Sequence, residues 1–268
     1  MSLAMSTVAR LDLHSHTRHS GDCFVPLEQA VAIAGQRGLT HLAITDHESC
    51  GCARQQAGKH WPIELIFGEE VTLADGTHLI ALGIADEVKS KTLGEAMQEI
   101  RAAGGFVVVP HPFKKGSGVF ACGEQVKALV SQFADAIEVC NSKLTDRENQ
   151  QAFALARELG KPMTAGSDAH FGYDVGDAVL EIEAGNGSTT DWRELIRSSR
   201  GARVMINRSA RQKSFDEHLL DTRVNNLWPS VRRLVPKQVR TLMKRTLHRA
   251  VYQPRVRGRG FMLEELKF

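Results

Sequence analysis

Short runs of β-branched and other apolar residues recur from about residue 9 to 207, separated by stretches in which apolar positions return every three or four residues. The runs predict strands at Arg10–Leu13, His41–Thr45, Glu64–Phe67, His78–Leu82, Phe106–Val109, Ala136–Val139, Pro162–Ala165, Ala178–Ile182 and Arg203–Ile206. Helices are expected between them. From Leu27 to Gln36, the residues Leu27, Ala30, Val31 and Ala34 share one face, Pro26 suits a first turn and Gly38 stops the helix. A second helix starts at Thr92, whose hydroxyl can cap it with Glu95 three residues on, and runs through Met97 and Ile100 to Gly104 and Gly105. A third spans Thr145 to Leu159 and ends at Gly160. Such alternation marks parallel βα units. The exception is Glu64 to Leu82, where Ala74, Asp75 and Gly76 form a turn signal that predicts a hairpin in place of a crossover.

Composition adds little until it is split along the chain. The 268 residues carry a net charge of +3 and 42% apolar residues, ordinary for a globular protein. Residues 1–200 hold 18 Lys and Arg against 26 Asp and Glu, whereas residues 201–268 hold 16 against 5. An acidic body, residues 1–207, followed by a basic C-terminal extension, residues 208–268, is therefore the expected organisation. Pro229, Pro236 and Pro254 divide that extension into short, mainly helical pieces. The absence of a long apolar run predicts no membrane span, the N-terminus lacks a signal pattern, and Met5 reads as the natural start. Cys23, Cys50, Cys52, Cys122 and Cys140 form no CxxC pair, which suits reduced thiols in the cytoplasm.

The candidate chemistry lies where the predicted strands end. His14 and His16 follow the first strand, Asp46 and His47 the second, and Glu69 and Glu70 the third. His111, Cys140, and then Asp168 with His170 follow three later ones. In a β/α barrel these strand ends open on one face, so the residues converge. Clustered imidazoles and carboxylates are costly to desolvate, and the acids repel one another, unless cations are bound. The donors outnumber what one ion uses, so two or three divalent ions, Zn, Mn or Fe, are expected, with Glu70 able to bridge two of them. Water acidified between such ions is a nucleophile at neutral pH.

The runs LDLHSHTRHSGDCFVPLEQAVAIAGQRGLTHLAITDH, FGEEVTL, THLIALG, VVVPHPF, IEVCNS and AGSDAH, in that order, resemble the PHP (polymerase and histidinol phosphatase) domain family over roughly residues 9–207. The resemblance implies an α/β fold, a distorted (β/α)7 barrel, with a trinuclear metal site. The family's usual ligands fall on His14, His16, Asp22, His47, Glu70, His78, His111, Asp168 and His170. Cys140 stands where some members carry a cysteine near the metals and is counted with them. Asp22 can also be read as a loop residue and His78 as a core histidine. Glu69 cannot point the same way as Glu70 in extended chain, and Asp46 is expected to orient a ligand or cap a helix. His19, His41, His60, His218 and His248 read as structural or surface residues.

The activity implied is metal-dependent hydrolysis of a phosphomonoester or small phosphodiester by metal-activated hydroxide, with Glu70, Asp168 and His170 as catalytic residues. Arg18, Lys114 or Lys115, and Asn141 are placed to meet a small phosphorylated substrate; equally, the charges can be solvated and Asn141 can shape its turn. The alternatives are a PHP-type nuclease, with the basic extension guiding nucleic acid, and a non-catalytic PHP binding module. The complete ligand set argues against the module. Amidohydrolases share the architecture, but their lysine-centred ligand pattern is missing. In the extension, Val231, Leu234, Val239 and Leu242 form an apolar stripe that favours packing on the acidic body, while RVRGRG can touch a phosphate-bearing partner.

Overall fold

The computed structural model describes residues 7–23, 25–56, 58–122, 126–184, 191–207 and 261–268. The chain runs through β1 (Thr7–Asp12), α1 (Leu27–Gln36), β2 (His41–His47), α2 (Gly51–Gln56), β3 (Glu64–Thr72) and β4 (His78–Leu82). It continues through α3 (Leu93–Ala102), β5 (Phe106–Val109), α4 (Lys127–Phe133), β6 (Ala136–Asn141), α5 (Asp146–Glu158) and β7 (Met163–Gly166). The last elements are β8 (Ala178–Ala184), α6 (Trp192–Arg197), β9 (Arg203–Asn207) and β10 (Leu263–Glu265). Each strand expected from the sequence has its counterpart.

All ten strands form one curled sheet in the order β10-β9-β8-β1-β2-β3-β4-β5-β6-β7. β1, β2 and β3 pair in parallel, as do β5, β6 and β7, with β4 reversed between β3 and β5. The Asp75–Gly76 turn thus makes the expected hairpin: Thr77 N donates to Asp75 Oδ1 (2.9 Å) and Gly76 has φ 86°. Curling returns β7 to the continuation of β1, where Leu13 N donates to Ala165 O (3.0 Å) and a parallel bridge joins Ser15 to Ala169. That closure is the seven-stranded barrel. β5, β6 and β7 are buried at every position, as expected of parallel strands covered on both faces.

Helices cover the outside. α1 buries Leu27, Ala30, Val31 and Ala34, the four residues of its apolar face. α5 starts with a capping box, Thr145 accepting from Glu148 N while Glu148 accepts from Thr145 N. Thr92 precedes α3, but its hydroxyl bonds Glu95 Oε2 (2.6 Å) and no backbone N–H, so the expected cap is replaced by a side-chain contact.

β8 and β9 extend the sheet beyond β1 by antiparallel pairing. β9 therefore points the same way as β1 and ends, at Asn207, on the side where the barrel strands end. The mainly helical reading of the extension falls on residues 208–260, outside the described residues, as does the question of how its apolar stripe packs. Residues 261–268, by contrast, contain a strand: Leu263 pairs with Asn207, Phe261 lies under the Arg37 guanidinium (4.1 Å) and Phe268 stacks on Phe153 (4.0 Å). Among the described residues no helix is long and apolar enough to cross a membrane.

Candidate metal centre

Six imidazoles gather where the parallel barrel strands end and the reversed β4 begins. His14, His16, His47, His78 and His111 form a closed circle, with successive ring centroids 5.2, 4.6, 5.4, 5.4 and 5.6 Å apart, and the His170 ring lies tilted against His16 at 4.3 Å. Inside the circle lies the carboxylate of Glu70, 1% exposed. Its Oε2 is 3.1 Å from His14 Nε2, 3.2 Å from His16 Nε2 and 3.5 Å from His47 Nδ1. Its Oε1 is 2.7 Å from His78 Nδ1 and 3.0 Å from His111 Nε2. Sheet register explains part of this: β2 and β3 pair His47 with Glu70, and the hairpin pairs Thr72 with His78. Alternation turns Glu69 away, where its Oε2 accepts from Val88 N (2.8 Å).

Asp168 forms the second pole. Its Oδ1 is 3.4 Å from His16 Nε2, 3.5 Å from His170 Nδ1 and 3.6 Å from His14 Nε2, and its Oδ2 is 3.2 Å from Lys114 Nζ. Asp22 stands at the outer edge, 3.1 Å from His170 Nε2 and 3.6 Å from His47 Nε2. The backbone is bent to build this face. Apart from Glu48, His111 (φ 29°) and Asp168 (φ 50°) are the only non-glycine residues with positive φ among those described, a conformation costing roughly 1–3 kcal/mol where it recurs at functional sites.

Charge follows from the packing. Burial opposes ionisation of Glu70 and Asp168, yet the imidazoles around Glu70, and Lys114 with His14 beside Asp168, hold both well below the usual carboxylate range. Burial likewise disfavours charged His16, but Asp168 and Glu70 push it up to about 9. Burial prevails at His47 and His111, which lie below an ordinary imidazole.

The residues fit divalent cations. Three sets of donor atoms each lie within 4.8 Å of one another: His14, His16, Glu70 and Asp168; His16, His47 and His170; and His47, Glu70 and His78. Both ring nitrogens of His16, and Nδ1 of His111, are buried without a hydrogen-bond partner. Imidazole nitrogens and carboxylate oxygens lined up in this way suit zinc, manganese or iron. Cys140 is in none of the three sets; its fully buried side chain belongs to the apolar core beside Val139 and Ala165.

The substrate-side residues divide. Lys114 is at the centre, paired with Asp168. Arg18 and Lys115 are exposed. Asn141 is fully buried, and its amide is committed within the protein: Nδ2 donates to Glu138 Oε2 (3.0 Å) and Asp168 Oδ2 (3.4 Å), and Oδ1 accepts from Lys143 N (2.9 Å). The geometry thus gives Asn141 the turn-shaping role in place of substrate donor.

Several residues other than the candidate ligands support the centre. Asp12 accepts from Ser167 N, Ser167 Oγ, Gly176 N and His14 N, locking β1 to the loop after β7. Asp46 accepts from the Thr17 N–H (2.5 Å) and hydroxyl (2.8 Å), which ties down the loop after His16. The Cys23 thiol contacts the His16 and His170 carbonyls, both at 3.3 Å. Glu138 sits beneath His14. The signal for it was present: an ionisable residue inside a strand that is otherwise apolar is the informative exception.

Comparison with known proteins agrees with the geometry. A family model described as the PHP domain matches residues 12–156, and one described as PHP-associated matches residues 146–203. An uncharacterized protein of Methanocaldococcus jannaschii is 26% identical over 117 residues, 39% of this chain and 68% of that protein. A second from that organism is 31% identical over 121 residues, 43% of this chain, and the match spans 50% of its length. Among solved structures, PsfC from Pseudomonas syringae superposes with a TM-score of 0.62 at 20% identity, covering 81% of this chain and 99% of PsfC. A Bacteroides vulgatus two-domain protein containing a predicted PHP-like metal-dependent phosphoesterase gives 0.58 at 22% identity, over 79% and 70%. A lesion-specific endonuclease from Pyrococcus furiosus gives 0.59 at 15% identity, over 74% and 58%. At such identities the likeness is one of fold.

Proposed function

This chain belongs to the PHP domain family, and from that premise we propose that it is a phosphoesterase that hydrolyses a phosphomonoester or small phosphodiester with two or three divalent cations held around Glu70. The observation that carries the reading is the single buried carboxylate within 3.5 Å of five imidazoles. The three donor sets name the residues that hold the ions, with Asp22 and His111 as further ligands from the family pattern. When bound, the cations supply acidified water and neutralise charge on phosphoryl oxygens.

The chain's own groups do the rest. Lys114, half-buried, offers its ammonium to a phosphoryl oxygen at the cost of its contact with Asp168. His170 Nδ1 donates to the Asp168 carbonyl (3.0 Å), which leaves Nε2 as the nitrogen facing Asp22 at the rim. With Nδ1 committed, Nε2 is the nitrogen that His170 has left to offer a cation alongside His16 and His47. Asp168, tied to His14, His16 and Lys114, orients the attacking side. The cysteines Cys23, Cys50, Cys52 and Cys140 are buried thiols and not disulfides, consistent with a cytoplasmic site of action.

Removing cations with a chelator should abolish hydrolysis of p-nitrophenyl phosphate and its bis-ester, and manganese or zinc should restore it. Undiminished turnover in chelator-treated protein would overturn the reading.

A second reading, hydrolysis of nucleic acid, has one observation of its own. Asn207, the last described residue before the basic stretch, and its pairing partner Leu263, beyond that stretch, both lie on the side of the sheet where the barrel strands end. Positive charge tethered there suits a polyanionic substrate.

A further inference from the structure

β6 is buried from end to end, and Glu138 is its single carboxylate, 2% exposed. Both carboxylate oxygens are occupied by groups that build the centre. Oε1 lies 3.0 Å from His14 Nδ1. Oε2 accepts from the His111 N–H (2.7 Å) and from Asn141 Nδ2 (3.0 Å). None of the three cation donor sets includes Glu138.

These contacts have directional consequences. A carboxylate at Nδ1 keeps a hydrogen on that nitrogen, which leaves Nε2 of His14 as the lone-pair donor. That nitrogen is the one facing Glu70 and Asp168, at 3.1 and 3.6 Å. The bond to the His111 N–H restrains a residue whose φ of 29° is strained, and whose Nε2 faces the other Glu70 oxygen at 3.0 Å. The carboxylate fits only because residue 166 is glycine: a Cβ there would stand 2.6 Å from Glu138 Oε1 and 2.2 Å from His14 Cβ.

We propose that Glu138 is a positioning residue, which aims Nε2 of His14 and of His111 at the cations from opposite sides of Glu70 while also fixing Asn141 beside Asp168. It acts through those residues and touches neither substrate nor cation. The proposal rests on the reading that the cluster holds cations.

Glu138→Gln tests it, since glutamine keeps the shape but turns one acceptor into a donor. Against His14 Nδ1, His111 N–H and Asn141 Nδ2, three donors, the amide can satisfy the arrangement only in part. Zinc affinity, measured by competition with a chromophoric chelator at a temperature where circular dichroism shows the variant folded, should fall on the order of 10–100-fold. The low-field imidazole N–H proton of His14 in the zinc-loaded protein should move or broaden, and Glu138→Asp, which keeps the charge but shortens the reach, should recover only part of the affinity. Wild-type zinc affinity in Glu138→Gln would overturn the proposal, and so would a loss of affinity with the His14 proton unmoved. Should the wild-type protein itself bind no zinc, the cation reading fails and the role of Glu138 falls with it, whereas a wild type that binds zinc beside an unaffected Glu138→Gln overturns the role of Glu138 alone.

Discussion

His16 shows how single residues are poised in the centre. Its pKa stands at about 9 without a metal, against 6.5 for an ordinary imidazole, because Asp168 and Glu70 outweigh the burial that would lower it. A folded-state pKa that is raised contributes stability that is full below pH 6.5 and lost as pH climbs through about 9. A cation that takes a His16 nitrogen must expel its proton, so zinc affinity should increase with pH across that window, by about tenfold per unit for one displaced proton. Competition titrations at pH 6.5, 7.5 and 8.5 check this, and an affinity flat across the series would contradict it. At this scale the sequence was most informative where a residue has one chemical use. HxH, DH and SDAH each place imidazoles and acids at strand ends, and His14, His16, His47, His111, Asp168 and His170 all arrive at the centre. Asn141 and Glu138 were harder, because the direction of an amide and the worth of a buried acid depend on partners across the barrel.

Elements position these residues by close approach, and Gly166 is the tightest point. A Cβ there would meet His14 Cβ at 2.2 Å and His14 N at 2.9 Å, so Gly166→Ala must push β7 away from the chain after β1. Overpacking of this kind costs roughly 1–3 kcal/mol. Gly201→Ala, with nothing within 4 Å of its added carbon, is the matched control. Thermal unfolding should show Gly166→Ala clearly destabilised and Gly201→Ala close to wild type; equal midpoints would remove the argument for close packing there. Long, strongly patterned elements were legible: α1 and α5 have helical apolar spacing with clear stops, and the barrel strands are nearly continuous apolar runs. α2, α4 and α6 span only six or seven residues, too few for a period to emerge, and β10 is a three-residue strand whose pairing depends on tertiary contact.

For the molecule as a whole, the division of charge matters. The basic residues follow Asn207 in sequence, and both Asn207 and its partner Leu263 in β10 lie on the side of the sheet where the barrel strands end. Cutting the chain at 208 would therefore remove a strand of the sheet along with the charge, so Arg255, Arg257 and Arg259 changed together to serine is the cleaner probe. Turnover of bis-p-nitrophenyl phosphate should be unchanged. Any binding of single-stranded nucleic acid should weaken and lose salt dependence, by about 0.7 in the log–log slope for each phosphate contact removed. Loss of small-ester turnover would place those arginines in the hydrolytic site itself. The parallel βα units and the β3–β4 hairpin were readable from the alternation of pattern, while the barrel was implied by the family resemblance; beyond β1, local pattern gives β8 and β9 as strands without partners and does not give β10.

The central claim is that one buried carboxylate and its surrounding imidazoles hold more than one divalent cation. Equilibrium dialysis of stripped protein against zinc, with metal content counted by elemental mass spectrometry for wild type and for Glu70→Ala, tests it most directly. Two or three zinc ions per wild-type chain, with fewer in Glu70→Ala, is the predicted result; a wild-type chain that retains none, or a Glu70→Ala chain that retains as many, would contradict the account.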